Sequence, residues 1–285
     1  MSAETAMRGA RRVRVRPARV ILHASLTFGA LLCLFPFYWL LVMASNRTSD
    51  TLKSPPTLVP GGELWQNVME VFARVDFFGS IVNTLIVSIS VAVLVLFLDS
   101  LAAFAFAKFE FPFRNVLFAI LLGTFMLPMQ LAVIPQYITM INIGWVGQLQ
   151  ALIVPAAANA FGIFWLRQYI KSAVPNELLD ACTVDGGGFF RQYLTVCLPL
   201  IRPGLGFLGI FTFIASWNDY LWPLVVLNDP NRITLQVAMA QLNRTYGFEY
   251  GLVMAGALIT VLPLIVVFVL GARQFIGDIA RGAVK

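Results

Sequence analysis

Reactive side chains are scarce in this chain, and the acids that stand out lie in two kinds of place. From Val174 to Gly204 runs VPNELLDACTVDGGGFFRQYLTVCLPLIRPG, where Glu177, Asp180 and Asp185 stand with no Lys or Arg between Ser172 and Phe190. Three glycines, Gly186, Gly187 and Gly188, follow the last acid. Asp99 and Asp219 lie instead inside apolar stretches, where an ionisable group is costly and a functional candidate by default. Neither set makes a reaction centre. The single histidine, His23, cannot build a zinc site. Cys33, Cys182 and Cys197 keep neither disulfide nor metal spacing. No G-x-x-x-x-G-K-[ST] run is present to cradle nucleotide phosphates. The expectation is a chain without covalent chemistry that binds no metal or cofactor of its own. An acidic, glycine-ended segment does mechanical work instead: it offers a short helix to another protein.

Local chemistry shapes that segment. Pro175 suits the first turn of a helix, where its missing N–H costs nothing, and Glu177 and Asp180 favour the positive helix end. Gly186 is the expected stop, because glycine takes the left-handed conformation after a helix cap. A second helix over about 189–196 should run to Leu198-Pro199, with the proline forcing a turn. On the first helix Leu178, Cys182 and Asp185 share a face, while Leu179 and Val184 project elsewhere. Exposed leucines beside acids suit docking into a groove on a partner. The local acidity argues against a resting place on an anionic leaflet.

The elements that must position this elbow are membrane spans. Of 285 residues 59% are hydrophobic and 12% charged, with mean hydropathy +0.81, whereas a soluble domain carries about 25% charged residues. A crossing needs about 20 residues, and six apolar runs qualify: about 20–44, 77–106, 115–139, 150–170, 203–227 and 251–272. The net charge of +6 is not a nucleic-acid footprint, since Arg8, Arg11, Arg12, Arg14, Arg16 and Arg19 crowd the flank of the first run. That run is too long for a cleaved signal core of about 7–15 residues. With the N-terminus inside, fifteen Lys and Arg fall on the cytoplasmic side and five (Arg47, Lys53, Arg74, Arg232, Arg244) outside. Both termini are therefore expected in the cytoplasm. The outer loop 46–76, with KSPPTLVPGG, should be extended and fold over the outer face, and the loop 228–250 has room for one helix over TLQVAMAQL.

Prolines near mid-membrane, Pro128, Pro135 and Pro263, each remove a donor and are expected to bend their helices. Gln130 beside Pro128, and Asn218 and Asp219 between Trp217 and Tyr220, are the candidates for a solute pathway. For the latter pair an outer aromatic belt or a structural hinge is favoured over solute contact. For Asp99, about 22 residues into its span, a structural cap is favoured over solute contact.

The elbow resembles the signature loop of binding-protein-dependent ABC importer permeases: Glu-Ala-Ala, three residues, Gly, nine residues, Ile-x-Leu-Pro. Asp180-Ala181-Cys182, Gly186 and Val196-Cys197-Leu198-Pro199 keep both spacings, with departures at Asp180, Cys182 and Gly187. NTLIVSIS from Asn83, SLAAFAFAKFEFPFRN from Ser100, MLPMQLAVIPQY from Met126, SWNDYLWPL from Ser216 and the ending QFIGDIARGAVK resemble the maltose-type carbohydrate permeases in particular. The resemblance implies an all-α membrane protein with the type I ABC importer permease fold and six transmembrane helices. It implies a second homologous permease subunit, two ATPase subunits that hold ATP and Mg, and an extracellular or periplasmic solute-binding protein, in a bacterial or archaeal cytoplasmic membrane. Such an assembly moves a sugar or oligosaccharide by alternating access. By position Glu177, Asp180, Ala181, Asp185 and Gly186 take the ATPase-coupling role, with Leu178 and Leu179 on the same helix. The division expected is a basic tail (1–19), a first span and outer loop (20–76), a permease core (77–273) holding the coupling loop (171–202), and a cytoplasmic tail (274–285). The alternative is a stand-alone secondary transporter, which would need paired repeats and mid-membrane ionisable groups; no repeat is visible.

Overall fold

A computed structural model describes residues 17–51, 53–245 and 249–282. The tail arginines before residue 17 and the last three residues of the ending lie outside this set. Among the described residues the regular elements are all helical: α1 Pro17–Ser45, α2 Thr48–Thr51, α3 Leu64–Arg74, α4 Phe77–Lys108, α5 Arg114–Phe125, α6 Val133–Asn142, α7 Gln150–Ile153, α8 Ala160–Ala173, α9 Asn176–Val184, α10 Phe189–Gln192, α11 Leu198–Leu200, α12 Arg202–Trp217, α13 Leu221–Val226, α14 Leu235–Thr245 and α15 Tyr250–Gly282.

Three of these are long and apolar enough to cross a membrane, within 18–45, 77–108 and 250–270. Two bent pairs also pass when taken together: Arg114–Phe125 with Met129–Asn142, at 93°, and Phe189–Leu200 with Arg202–Trp217, at 80°. The outward surface is that of a protein dissolved in lipid. Ile21, Leu26, Phe28, Leu31 and Phe35 of α1 and Val116, Leu117 and Ile120 of α5 all stand exposed. The chain is a multi-pass membrane protein.

At the centre stands α4. Asp76 caps its start by accepting the Gly79 N–H at 2.9 Å, and extended backbone at Phe109 ends it. One core joins Val91, Val95 and Phe104 of α4 to Leu166 and Ile170 of α8, Leu208 of α12 and Leu179 of α9. A second, toward the other end, gathers Ala44, Val71, Phe77, Phe213, Trp217, Leu242 and Leu252. Here the loop 46–76 packs against α1 and α15, and it contains a helix, α3, that was not foreseen in so proline-rich a segment. Asn67 donates to the Ala44 carbonyl at 2.9 Å, and the buried Asn46 donates to Val42 and Val59 at 2.9 and 3.0 Å. Arg74 bridges Glu70 and Glu249, tying α3 to the start of α15. Burial disfavours its charge, but the two carboxylates outweigh burial and hold the guanidinium above its ordinary pKa. The helix expected over TLQVAMAQL is α14.

The prolines act differently from one another. Pro128 precedes a 3₁₀ turn, Met129–Ala132, and the span breaks there. Pro135 sits in the first turn of α6, where it has no hydrogen bond to lose, so it bends nothing. Pro263 lies within α15 without interrupting it. The fourth apolar run is also discontinuous: α7 stops after one turn and α8 begins only at Ala160, with Pro155 in the break.

Phe104 is fully buried and touches Phe109, Phe189 and Tyr193 with ring centroids 5.2, 5.3 and 5.9 Å away. Phe104→Ala should destabilise the purified protein by about 3–5 kcal/mol, read as a fall in its melting temperature in detergent, and Phe104→Leu by clearly less. An unchanged melting temperature for the alanine variant would contradict this packing.

Candidate functional site

The acidic elbow is a helix, a glycine turn and a second helix. Pro175 stands just outside α9 at its N-cap, with Glu177 in the first turn. At the other end Gly186 takes φ +76°, the left-handed region that costs other residues about 1–2 kcal/mol. The Gly186 N–H donates to Thr183 O at 2.9 Å and the Gly187 N–H to Cys182 O at 2.8 Å. These two bonds are the Schellman closure of a helix C-terminus. Gly186 is thus a backbone requirement and not a spacer.

Gly187 is a packing requirement. A Cβ there would collide with Cys182 Sγ and lie 2.7 Å from the Cys182 carbonyl oxygen. Two departures from the family pattern, Cys182 and Gly187, therefore lie against each other, and the larger side chain at one position needs the absent one at the other. The second helix is fastened as well. Gln192, largely buried, donates to Thr183 Oγ1 at 2.8 Å and Gly187 O at 3.2 Å. Gln192 thus staples the second elbow helix across the triple glycine.

The second helix runs further than Pro199 allows in an ordinary helix. Tyr193–Cys197 forms a π turn, in which the Leu198 N–H reaches back to Tyr193 O. Widening the ladder by one residue relieves the clash between a proline ring and the preceding turn. The chain consequently turns at Ile201, two residues after Pro199, into α12.

Two faces of α9 have different fates. Glu177, Asp180, Ala181, Asp185 and Gly186 are exposed, as are Leu178 at 46% and Val184 at 87%. Leu179, expected with Leu178 on the docking surface, is corrected: it is 7% exposed and packs into the bundle core. With 100° between neighbours on a helix, two adjacent leucines cannot both face outward when one must anchor. Lys108, at the end of α4, completes the mounting by donating to Val174 O at 2.6 Å and Asn176 Oδ1 at 2.8 Å. Lys108, Gln192 and the phenylalanine cluster were missed because sequence reading sees only their types. The one signal available was a basic residue in the last turn of a long helix.

The solute candidates do not form one cluster. Gln130 lies exposed on the 3₁₀ turn at the α5–α6 break, with no hydrogen bond to Asn218 or Asp219. Asn218 ends α12, its amide donating to Ile214 O at 2.9 Å. The Asp219 carboxylate lies beside the backbone N–H groups of Tyr220, Leu221 and Trp222, at the start of α13. Asp99 is fully buried, and its Oδ1 accepts the Asn159 N–H at 3.1 Å at the start of α8; the capping expectation fits this contact.

Gly187→Ala should open the elbow, with the half-buried Cys182 reacting faster with maleimide and the melting temperature falling. Cys182→Ala should recover part of the loss, the remainder coming from the carbonyl contact. No recovery would show that the two side-chain positions do not share this contact, and full recovery would remove the part assigned to the carbonyl.

No protein-family model matches the chain. Known proteins do. It is 32% identical over 265 residues to the sn-glycerol-3-phosphate transport system permease protein UgpE of Yersinia pestis, covering 90% of this chain and 94% of the relative. It is 32% identical over 273 residues to the lactose transport system permease protein LacG of Rhizobium radiobacter, covering 96% and 98%. With the arabinooligosaccharides transport system permease protein AraQ of Halalkalibacterium halodurans it shares 30% over 268 residues, covering 93% and 96%. Among solved structures, a bacterial ABC transporter involved in import of the acidic polysaccharide alginate superposes with TM-score 0.75 over 93% of this chain and 98% of that one, at 22% identity. That likeness is one of fold. Relatives at this identity span nine-tenths or more of the sequence, the fold agrees, and the elbow keeps its spacing: the chain belongs to the permease subunits of ABC importers.

Proposed function

We propose that this permease carries a sugar, oligosaccharide or related polyol compound across a bacterial or archaeal cytoplasmic membrane, driven through α9 by partner ATPases. The observation that carries the reading is the division of α9 into an anchored and an offered face. Leu179 and Lys108 fix the helix to the bundle, while Glu177, Leu178, Asp180, Ala181, Asp185 and Gly186 remain exposed for a groove on the ATPase. ATP and Mg belong to those partners. The chain itself works without covalent chemistry, beside a second homologous permease and a solute-binding protein on the outer side.

The spans of this reading are six: α1, α4, α5 with α6, α7 with α8, α12 with α13, and α15, with both termini inside. The asymmetry of Lys and Arg supports this orientation. The described helices are consistent with it, since Lys108, Arg114, Arg167 and Lys171 then flank one membrane face and Arg47, Lys53 and Arg74 the other. The names of the relatives support the solute class: one carries glycerol phosphate in its name, one lactose and one arabinooligosaccharides. Gln130 and Asn218, exposed amides at the breaks of two spans, are the proposed solute contacts, and Asp219 holds the hinge beside them. Broken helices in a membrane bundle leave backbone groups facing a cavity, where polar solute finds partners.

Docking shifts the spans only to the extent that α9 meets the ATPases differently in their open and closed states. A stiff elbow converts that difference into movement. Gly186→Pro cannot adopt φ +76°, so uptake by the assembled importer should fall to background while the permease still inserts in the membrane. Normal uptake by this variant would remove the coupling role. For orientation, a cysteine at the exposed Ser172, with Cys182 replaced by Ala, should react with an impermeant maleimide in inside-out vesicles only. Labelling from the outside of intact cells would reverse the topology.

A further inference from the structure

Asp99 and Ser100 are consecutive, both fully buried, and they reach different elements. Ser100 Oγ lies 2.6 Å from the Tyr193 hydroxyl, and Tyr193 opens the π turn of the elbow. Asp99 points elsewhere, as neighbours on a helix must. Its Oδ1 accepts the N–H of Asn159 at 3.1 Å, and Asn159 in turn caps α8 by accepting the Gly162 N–H at 2.8 Å. A Cβ on Gly162 would collide with Asp99 Oδ2 and stand 3.3 Å from Leu208 Cδ2. The carboxylate is therefore wedged between α8 and α12 in a gap that only glycine leaves open. No Lys or Arg pairs with it among the described residues; its partner is the positive end of the half-helix α8.

We infer that Asp99 and Ser100 form a two-way joint that transmits elbow movement into the half-helix α8. The inference rests on the coupling reading above. Displacement of α9 and the second elbow helix enters α4 through Tyr193 and Ser100, and leaves it through Asp99 into the first turn of α8. The elbow, the inner half of α4 and α8 then move as one body, and the break at 154–159 is its hinge. Both residues are positioning residues, acting through the helices they hold. The break suits a hinge because α7 and α8 share no continuous ladder across it, and Val154, Pro155, Ala156 and Ala158 are exposed there.

The test needs no knowledge of the solute. In a complete importer with Cys33 and Cys182 replaced by Ala, a cysteine at Ala156 reports on the hinge through its maleimide labelling rate. The probe is Mg with a non-hydrolysable ATP analogue. In the otherwise unchanged complex the nucleotide should alter the rate. Tyr193→Phe, Ser100→Ala and Asp99→Leu should each shrink that response by about three- to tenfold, the size of ordinary coupling energies. The Tyr193→Phe, Ser100→Ala double variant should do no more than either single one. Asp99→Asn, whose amide oxygen still accepts the Asn159 N–H, should restore it. A role in stability alone would change labelling equally with and without nucleotide. An unaltered nucleotide response in Tyr193→Phe and Ser100→Ala, both conservative enough to assemble, overturns the joint. Gly186→Pro in the same background separates the two failures. If it abolishes the response while those variants keep it, the coupling helix stands and the joint falls; if it too keeps the response, both fall.

Discussion

A helix that stops in or beside a bilayer leaves carbonyl and N–H groups that water cannot reach, and each unsatisfied group costs several kcal/mol. Much of this structure follows from how those ends are closed. At the Lys108 end of α4, Arg167 Nε donates to Phe106 O at 3.2 Å and Arg114 Nη1 to Phe109 O at 2.9 Å. Lys108 covers the Val174 carbonyl where α8 gives way to α9. Asp99 covers the Asn159 N–H before α8, and the Asp219 carboxylate lies beside the first N–H groups of α13. The scarce charged residues near the spans are thus employed at helix ends, with cations on carbonyls and anions on N–H groups, as the signs of the peptide dipole require.

This explains how far the sequence could be read. Long apolar runs with at most one charge identify spans because lipid tolerates little else, so α1, α4 and α15 were visible at once. The elbow was legible for a related reason: proline, acids and glycine have strong positional meaning at helix ends, and α9 ends where Gly186 said it would. The broken spans were not legible. Pro128 and Pro135 look equivalent in sequence, yet one precedes a break and the other starts the next helix. Which of them marks the break depends on where the next helix starts, and the hydrogen bonds around the break are local, from Met126 N–H to Gly123 O and from Leu131 N–H to Pro128 O.

Side-chain direction was the other blind spot. Leu178 and Leu179 are the same residue type one position apart, and composition gives no reason to separate them. The bundle does, because Leu179 lies over the core while Leu178 does not. Gln192 was unremarkable in sequence and proves to hold the elbow closed across three glycines. Polar residues that satisfy backbone groups at long range carry no periodic signature, so they emerge only with the fold.

The same accounting sets the electrostatic character of the face turned to the cytoplasm in the proposed orientation. Arg114, Arg167 and Lys108 are turned back onto carbonyls, and Arg167 also lies 4.0 Å over the Phe118 ring. Their charges are partly spent on the bundle. Glu177, Asp180 and Asp185 accept no side-chain bond of comparable kind and stay exposed on α9. The stretch from Asn176 to Asp185 thus presents three exposed acids and no cation as its surface, while Lys171, Arg191 and Arg202 stand exposed on either side of it in the same loop. A cationic groove complements that surface and an anionic leaflet repels it. The acids of α9 therefore favour a protein partner over an anionic leaflet in the proposed reading, and the Schellman closure and the Gln192 hydrogen bonds tie α9 to the second elbow helix.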